Sequence, residues 1–347
     1  MSRHLNVAIV GATGAVGETF LTVLEERNFP IKSLYPLASS RSVGKTVTFR
    51  DQELDVLDLA EFDFSKVDLA LFSAGGAVSK EYAPKAVAAG CVVVDNTSCF
   101  RYEDDIPLVV PGSESSSNRD YTKRGIIANP NCSTIQMVVA LKPIYDAVGI
   151  SRINVATYQS VSGTGKKAIS ELVAQVGDLL NGRPANVQVY PQQIAFNALP
   201  HIDQFEDNGY TREEMKMVWE TRKIMEDDSI MVNPTAVRVP VIYGHSEAVH
   251  LELKKPLTAD DARALLAKAP GVTVVDNLSK ASYPTAIKNA VGHDDVFVGR
   301  IRQDISHPCG LNLWIVADNI RKGAATNAVQ IAEILQREFL LKLSLPQ

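Results

Sequence analysis

Four residues far apart in this chain have the types and contexts that covalent chemistry uses: Cys132, Gln159, Arg238 and His245. Cys132 stands in Asn129-Pro130-Asn131-Cys132-Ser133-Thr134, ahead of an apolar helical run. Proline and asparagine stop the preceding segment and put the thiol in the first turn of the next helix. There the helix dipole and the first N–H groups lower a thiol pKa and can hold an oxyanion. Gln159 closes a strand-like run just before Ser162-Gly163-Thr164-Gly165, a glycine turn that opens a helix. Arg238 and His245 are separated by Val-Pro-Val-Ile-Tyr-Gly. A thiol, a fixed cation for an acidic substrate and an imidazole for proton transfer together make a thiol-based hydride-transfer site. Taken singly, a cysteine is more often an inert core residue and a histidine a structural one; only the set points to catalysis. The other cysteines lack such partners. Cys91 lies inside an apolar strand, Cys99 in the same region, and Cys309 in His307-Pro308-Cys309-Gly310, where one His and one Cys do not make a metal site. No metal is expected.

A second motif concerns a cofactor. Gly11-Ala12-Thr13-Gly14-Ala15-Val16-Gly17 follows a strand and opens a helix, the context that raises a GxxGxxG string above chance. Gly11 permits the tight turn, Gly14 the close approach of a pyrophosphate, and Gly17 close packing of helix on strand, with the phosphates at the helix N-terminus. NAD-selective versions place an acid after the second strand to hold the ribose 2′-OH. Here that strand is followed by Ser39-Ser40-Arg41-Ser42, with Lys45 nearby. Hydroxyls and a guanidinium suit a 2′-phosphate, so NADP is expected. Ser73-Ala74-Gly75-Gly76, after another strand, reads as a second close approach to the dinucleotide.

The elements that must position these residues follow from hydrophobic periodicity. Residues 6–10 read as a buried strand and 15–27 as a helix with Val16, Phe20, Val23 and Leu24 on one face. Segments 34–38, 69–73 and 91–95 read as strands, with a helix at 79–89. Strands alternating with helices imply βαβ units and a mostly parallel sheet. Beyond about residue 130 the pattern changes to a helix at 132–148, a strand at 153–160, a helix at 166–180, and strands at 236–242, 248–254, 296–302 and 312–318. Val249, Leu251 and Leu253 alternate with His250, Glu252 and Lys254, which predicts a sheet with one polar face. Residues 181–207, poor in charge and rich in Pro and Gln, read as an irregular connection. Residues 324–341 form an amphipathic pattern that predicts a helix returning to the first domain.

Composition bounds the rest. The chain has 347 residues, 35 Lys plus Arg against 40 Asp plus Glu, and a formal charge of −5. That length suggests two domains with ample material for cores. With 46% hydrophobic and 22% charged residues it fits a globular protein, not a disordered or fibrous one. An isoelectric point near 5.8 argues against a general nucleic-acid binder. No apolar run approaches the ~20 residues that cross a bilayer. The first residues, Met1 to Leu5, lead straight into a strand without a signal-peptide core. Four cysteines without a CxxC pair do not build a disulfide framework. A cytoplasmic protein is expected, with no membrane or nucleic-acid partner.

With these residues in view, the sequence resembles the aspartate-semialdehyde dehydrogenases over nearly its whole length. The matching segments are GATGAVG at 11–17, ASSRS at 38–42, DNTSCFR at 95–101, NPNCST at 129–134, QSVSGTG at 159–165, EEMK at 213–216, RVPVIYGH at 238–245 and DNIRKGAATN at 318–327. The resemblance implies an α/β fold: a Rossmann-type NADP-binding domain of residues 1–131 and 322–347, and an α+β catalytic and dimerisation domain with a mixed sheet, residues 132–321. It implies an NADP-dependent, usually homodimeric enzyme that interconverts aspartyl β-phosphate and aspartate β-semialdehyde on the route to lysine, threonine and methionine. Cys132 would attack the acyl phosphate to form a thioester, His245 would act as general acid/base, and Gln159 would orient the intermediate. Arg238 would pair with the substrate α-carboxylate and Glu213 with its amino group, while Arg101, Asn131 and Lys216 would hold phosphate. Without the resemblance, Glu213 and Lys216 read as an i,i+3 helix salt bridge. The cofactor would be met by Gly11, Thr13, Gly14, Ala15, Val16, Gly17, Ser39, Arg41, Ser42, Ser73, Gly75, Ser162, Gly163 and Asn319.

One departure is visible: after Pro111 the family commonly continues Glu-Val-Asn, whereas this chain reads Gly112-Ser113-Glu114. Three rival readings are weaker. N-acetyl-glutamyl-phosphate reductases usually carry their cysteine in a Gly-Cys-Tyr-Pro-Thr context, unlike Asn131-Cys132-Ser133-Thr134. A short-chain-type reductase needs a Tyr-xxx-Lys pair, and none of the ten tyrosines has a lysine four positions on. A non-catalytic NADP-binding relative should have lost the cysteine or the histidine, and both are present.

Overall fold

The computed structural model describes residues 4–112 and 121–337. Ser113 and Glu114, in the segment that departs from the family pattern, lie outside them. The chain divides into two compact units, residues 1–131 with 324–347 and residues 132–323.

The first unit runs β1 (Leu5–Val10), α1 (Ala15–Glu26), β2 (Ile31–Ala38), a hairpin of β3 (Thr46–Phe49) and β4 (Gln52–Asp55), β5 (Leu57–Asp58), β6 (Leu69–Phe72), α2 (Gly76–Ala88), β7 (Val92–Asp95) and β8 (Ile126–Ala128). Apart from the hairpin, its strands form one parallel sheet in the order β5-β2-β1-β6-β7-β8. Helices connect parallel strands and cover their faces, so β1 and β6 are apolar almost throughout and buried. Strand order reverses between β1 and β6, and a crevice opens at their carboxyl ends. In α1, Phe20, Leu21, Val23 and Leu24 face the core while Glu18, Thr22, Glu25 and Glu26 face out, the separation a 3.6-residue repeat produces.

The second unit contains α3 (Cys132–Val148), β9 (Ile150–Gln159), α4 (Lys166–Leu180), α5 (Arg212–Met225), β10 (Met231–Arg238), β11 (His245–Leu253), α6 (Ala259–Leu266), β12 (Val272–Val274), β13 (Val296–Gln303) and β14 (Gly310–Ala317). Its sheet has the order β10-β9-β11-β14-β13-β12 and is mixed: the outer pairs β10/β9 and β13/β12 are parallel and the inner pairs antiparallel. Helices α3, α5 and α6 pack together, and α3 also meets β9, β11, β13 and β14. On the inner face of the strands the alternation changes character along its length. Val155 gives way to Thr157 and Gln159, Ala236 to Arg238, and Leu251 and Val249 to Glu247 and His245, all buried. One end of the sheet is thus a polar surface inside the protein.

Helices α3 and α4 span the residues predicted for them. The strand expected at 236–242 is β10, which starts earlier and stops at Arg238 because Pro240 cannot donate to a ladder. The segment expected to be irregular is held from α4: Gln175 Oε1 accepts the N–H groups of Ile194 and Ala195 at 3.0 and 3.1 Å.

The final helix, α7 (Thr326–Leu335), completes the first unit. Its Ala328, Val329, Ile331, Ala332 and Leu335 join the core that contains Phe20 and Leu24. Arg27, which caps the C-terminal end of α1, makes a two-point ion pair with Glu333 at 2.8 Å. The predicted helix continued to 341, and residues 338–341 are outside the described part. Among the described residues no helix is long and apolar enough to cross a membrane.

Candidate active site

In the first unit the glycine turn lies at the carboxyl ends of β1 and β6. Gly11 has φ +93°, and a Cβ there would sit 3.0 Å from the backbone nitrogen of Ala74. A Cβ on Gly17 would fall 2.1 Å from the Gly11 carbonyl oxygen, so this glycine serves close packing of α1 on its own turn. Gly14 caps α1 in an extended conformation, and no side chain supplies a cap. The dipole of α1 is therefore presented to whatever occupies the crevice. Gly75 (φ +100°) does the same for α2, with open space where its Cβ would be. The cleft at this point has a volume of about 570 Å³ and is lined by Gly11, Thr13, Gly14, Ser39, Arg41, Ser42 and Ser73 among others. Uncapped helix starts, hydroxyls and a guanidinium around a cleft of this size fit a phosphate-bearing dinucleotide. Five lining residues, Asp58, Leu59, Ala60, Val78 and Tyr82, carried no sequence signal. Of these, Asp58 ends the two-residue strand β5, and its carboxylate accepts the Ala60 N–H at 3.1 Å.

The same unit fixes the turn before the thiol. Asn129 donates to Asn96 Oδ1 at 2.6 Å and accepts from Asn327 Nδ2 at 2.7 Å, while Asn327 also donates to the Val109 carbonyl. Arg101, 6% exposed, donates through Nε to the Asn129 carbonyl at 2.9 Å and through Nη2 to that of Asn96 at 3.0 Å. It therefore braces two loops, whatever else it holds. Asn131 is buried next to Cys132 in the chain.

In the second unit Cys132 is the first residue of α3. A Cβ on Gly323 would come within 2.9 Å of the Cys132 Cβ, so the chain after β14 passes directly over the thiol residue. Gly323 donates to the Asp318 carbonyl, and Ala317 before it pairs with His245 across the β11/β14 ladder. Gln159 and Arg238 are register partners at the ends of β9 and β10. His245 begins the antiparallel neighbour β11, so topology gathers Gln159, Arg238 and His245 at one sheet end. A Cβ on Gly163 would be 3.2 Å from Arg238 Nη1 and 3.5 Å from His245 Nε2, which shows how closely this turn covers both.

Arg238 is 5% exposed. Its Nη1 donates to the Ser160 carbonyl at 2.7 Å, its guanidinium lies 6.0 Å from the Tyr190 ring centre, and its Nε has no partner among the described residues. One edge is anchored and another is left to receive an anion. Gln159 Nε2 donates to Glu213 Oε1 at 3.2 Å and Thr157 Oγ1 at 3.3 Å. Glu213 lies in the first turn of α5, which Thr211 and Glu214 start with a reciprocal capping box. Lys216 donates to Glu213 at 3.0 Å and Asp203 at 2.7 Å, so the i,i+3 salt bridge exists. Burial works against the Lys216 charge, but Glu213 and Asp203 outweigh it and raise its pKa.

His245 is fully buried. Burial first, then the Arg238 charge, hold its pKa down at about 3; Glu213 and the Gly244 backbone pull upward by less. Its Nδ1 accepts the Ser160 backbone N–H at 3.1 Å and lies 3.0 Å from Ser160 Oγ, while Nε2 has no partner among the described residues. Asn319 Oδ1 accepts from Ser160 Oγ, Ser162 Oγ and the Gly244 N–H. Its amide nitrogen donates to Ser162 Oγ at 2.9 Å. Asn319, a candidate cofactor contact, thus spends its carboxamide on the frame around His245. Ser160 carried no signal of its own.

The remaining cysteines have other surroundings. Burial, with Asp68 adding, pushes the Cys91 thiol far up; burial and Asp95 raise Cys99. Cys309 sits in the β13–β14 turn with its N–H on His307 Nδ1 at 3.3 Å. Among the described residues no group of three potential metal ligands occurs.

Residues 6–120 match the semialdehyde dehydrogenase NAD binding domain and residues 141–322 the semialdehyde dehydrogenase dimerisation domain. A curated aspartate-semialdehyde dehydrogenase of Shewanella violacea is 61% identical over 339 residues, 98% of this chain and 100% of that protein. The chain belongs to the aspartate-semialdehyde dehydrogenase family. It is therefore an oxidoreductase with the family's α/β architecture. The crystal structure of aspartate semialdehyde dehydrogenase II complexed with ASA from Vibrio cholerae is 60% identical, with TM-score 0.96, covering 98% of this chain and 100% of that one. The Candida albicans aspartate-semialdehyde dehydrogenase crystallised with NADP is 25% identical, with TM-score 0.75 over 96% of this chain and 99% of that one. Aspartate-semialdehyde dehydrogenase relatives thus match nearly the whole sequence, not the glycine turn alone.

Proposed function

We propose that this chain catalyses the reversible, NADP-dependent reductive dephosphorylation of L-aspartyl 4-phosphate to L-aspartate 4-semialdehyde, as a cytoplasmic homodimer in lysine, threonine and methionine biosynthesis. The observation that carries the reading is the buried polar end of the second sheet, where Gln159, Arg238 and His245 converge in the unit whose first residue is Cys132. Gly11, Thr13, Gly14, Ala15, Val16, Gly17, Ser39, Arg41, Ser42, Ser73, Gly75, Ser162, Gly163 and Asn319 are the residues that would hold the dinucleotide.

Cys132 attacks the acyl carbon as the thiolate. The S–C bond forms, the C–O bond to phosphate breaks, and phosphate leaves with that electron pair and takes a proton from solvent. When bound, NADPH supplies the hydride that brings the thioester carbon to the aldehyde level, and NADP⁺ accepts it in reverse. The carbonyl electron pair moves onto oxygen and returns as the C–S bond breaks, which restores the thiolate. Arg238 binds the α-carboxylate with the guanidinium edge not anchored to Ser160. Glu213 receives the substrate ammonium and Gln159, tied to it, orients the acyl group. Arg101, Asn131 and Lys216 contribute to phosphate binding, and His245 acts as the general acid/base.

Two carboxylates pair with Lys216, and Arg101 turns two nitrogens to backbone carbonyls. The test is phosphate-dependent reduction of NADP and NAD, side by side, with aspartate semialdehyde. Turnover that needs phosphate and prefers NADP supports the reading; a folded, NADP-binding sample with no turnover refutes it.

A further inference from the structure

Residues 186–199, which form no helix or strand, are strapped to α4 by two buried side chains, Glu171 and Gln175. Glu171 accepts the backbone N–H groups of Gln188 at 3.0 Å, of Val189, and of Tyr190 at 3.4 Å. A carboxylate offers acceptors alone, so it can collect several donors from one bend of chain. One helical turn further on, Gln175 Nε2 donates to Glu171 at 3.1 Å and to the Asn186 carbonyl at 2.9 Å, while its Oε1 accepts from Ile194 and Ala195. Tyr190, Ile194, Ala195 and Leu199 then join Ala168 and Leu172 of α4 in one apolar cluster. Leu199 ends the strap on Arg238 itself, through two backbone hydrogen bonds of 2.8 and 2.9 Å.

The strap brings Tyr190 to the guanidinium. Tyr190 is buried, its hydroxyl donates to Thr164 Oγ1 at 3.2 Å in the turn before α4, and the Arg238 guanidinium carbon lies over its ring, 6.0 Å from the centre. Arg238 Nη1 is tied to the Ser160 carbonyl. A planar group tied at one nitrogen can still swing about that bond, and a ring against its face removes the freedom. With the plane fixed, the edge that carries Nε is aimed, and a carboxylate lying in that plane meets two parallel N–H groups instead of one. At 6.0 Å the ring stands at the outer limit of cation–π range, so it acts chiefly by excluding water and setting orientation. We infer that Glu171, Gln175 and Tyr190 are positioning residues that hold Arg238 in the plane in which it receives the substrate carboxylate. This rests on the function proposed above and deepens it: the carboxylate site has a wall, and α4 holds that wall in place.

The experiment combines kinetics of Y190F, Y190L and E171Q, with Y190L also made in the R238L background, and hydrogen–deuterium exchange of the unliganded enzymes. Y190L should raise the semialdehyde KM about tenfold, the worth of a desolvated cation–π contact, and leave kcat and the KM for NADP within about twofold. Y190F keeps the ring and should stay within about threefold of wild type, the worth of one neutral hydrogen bond. In the R238L background Y190L should lower kcat/KM by less than about twofold further, because residues that act through one another are not additive. E171Q turns an amide nitrogen toward backbone donors, so exchange over residues 186–195 should quicken by about tenfold, and the semialdehyde KM should rise with it. It also keeps the test open if Y190L does not fold. An equal effect of Y190L with and without Arg238, a loss in kcat in place of a rise in KM, or Y190F as impaired as Y190L overturns the inference. So does E171Q with wild-type exchange, or with faster exchange and an unchanged KM. Failure of the underlying function looks different: wild-type enzyme then lacks phosphate-dependent turnover, and the inference falls with it.

Discussion

At the carboxyl ends of β1 and β6 the first unit offers backbone: uncapped helix starts and glycines with φ +93° and +100°. At the ends of β9 and β10 and the start of β11, the second unit offers side chains that are almost completely buried. The first arrangement suits a ligand recognised by shape and phosphate charge, because N–H groups at a helix start need no particular side chain. The second suits chemistry, because burial and neighbours decide which groups carry charge. One sheet end is therefore a cradle, and the other a set of groups held in chosen protonation states.

Variants should separate the two ends. The largest effect is expected for C132A: turnover should fall by roughly 10⁴-fold or more, the scale of deleting a covalent nucleophile. NADP binding, followed by fluorescence titration, should persist, and loss of both would break the separation. R238L removes a charged hydrogen-bonding partner and should weaken use of the semialdehyde by about 10- to 100-fold in kcat/KM. The KM for NADP should stay within a factor of two, and an unchanged semialdehyde KM would remove the arginine from the substrate carboxylate. R41A acts at the other end. It should raise the KM for NADP by about tenfold, the worth of one charge-assisted bond, and leave the KM for NAD nearly constant.

The smallest effect sharpens the claim about protonation. In the folded protein burial raises the Glu247 pKa above its ordinary 4.5, so the unfolded chain loses this proton first as pH rises. Stability linked to Glu247 is therefore intact below 4.5 and declines above it. E247Q, which has no proton to lose, should melt above wild type at pH 8 by about 2 °C or more, with the gain fading by pH 4. A gain independent of pH would mean that the Glu247 carboxyl is not held neutral.

The two ends were also unequally legible in the sequence. The spacing of Gly11, Gly14 and Gly17 after an apolar strand identified the cradle, because local backbone geometry demands glycine at those places. Asp58 and Tyr82 were invisible, since they reach the cleft only after β5 pairs with β2 and α2 packs on the sheet. Cys132 was legible through Asn-Pro-Asn and the start of α3. The roles of Ser160 and Asn319 were not, because their hydrogen bonds span up to 159 residues of chain. Glu247 looked like one polar member of a strand, and only its register opposite Thr157, on the covered face, shows that it points inward. The i,i+3 pair of Glu213 and Lys216 was correct as a local reading, and the structure adds Gln159 and Asp203 to it.

Helix α7 has a consequence for how the molecule is made. The second unit is one uninterrupted stretch of chain, but the core of the first unit takes Ala328, Val329, Ile331 and Leu335 from the last part of the sequence. During synthesis on the ribosome, where domains generally fold as they emerge, the cradle's sheet appears first and yet waits for more than half of the polypeptide before that core closes. The catalytic unit has all its strands once Ala317 is made, shortly before α7. The part made first is therefore finished last, and until then the inner face of α1 lacks the share of its core that α7 supplies.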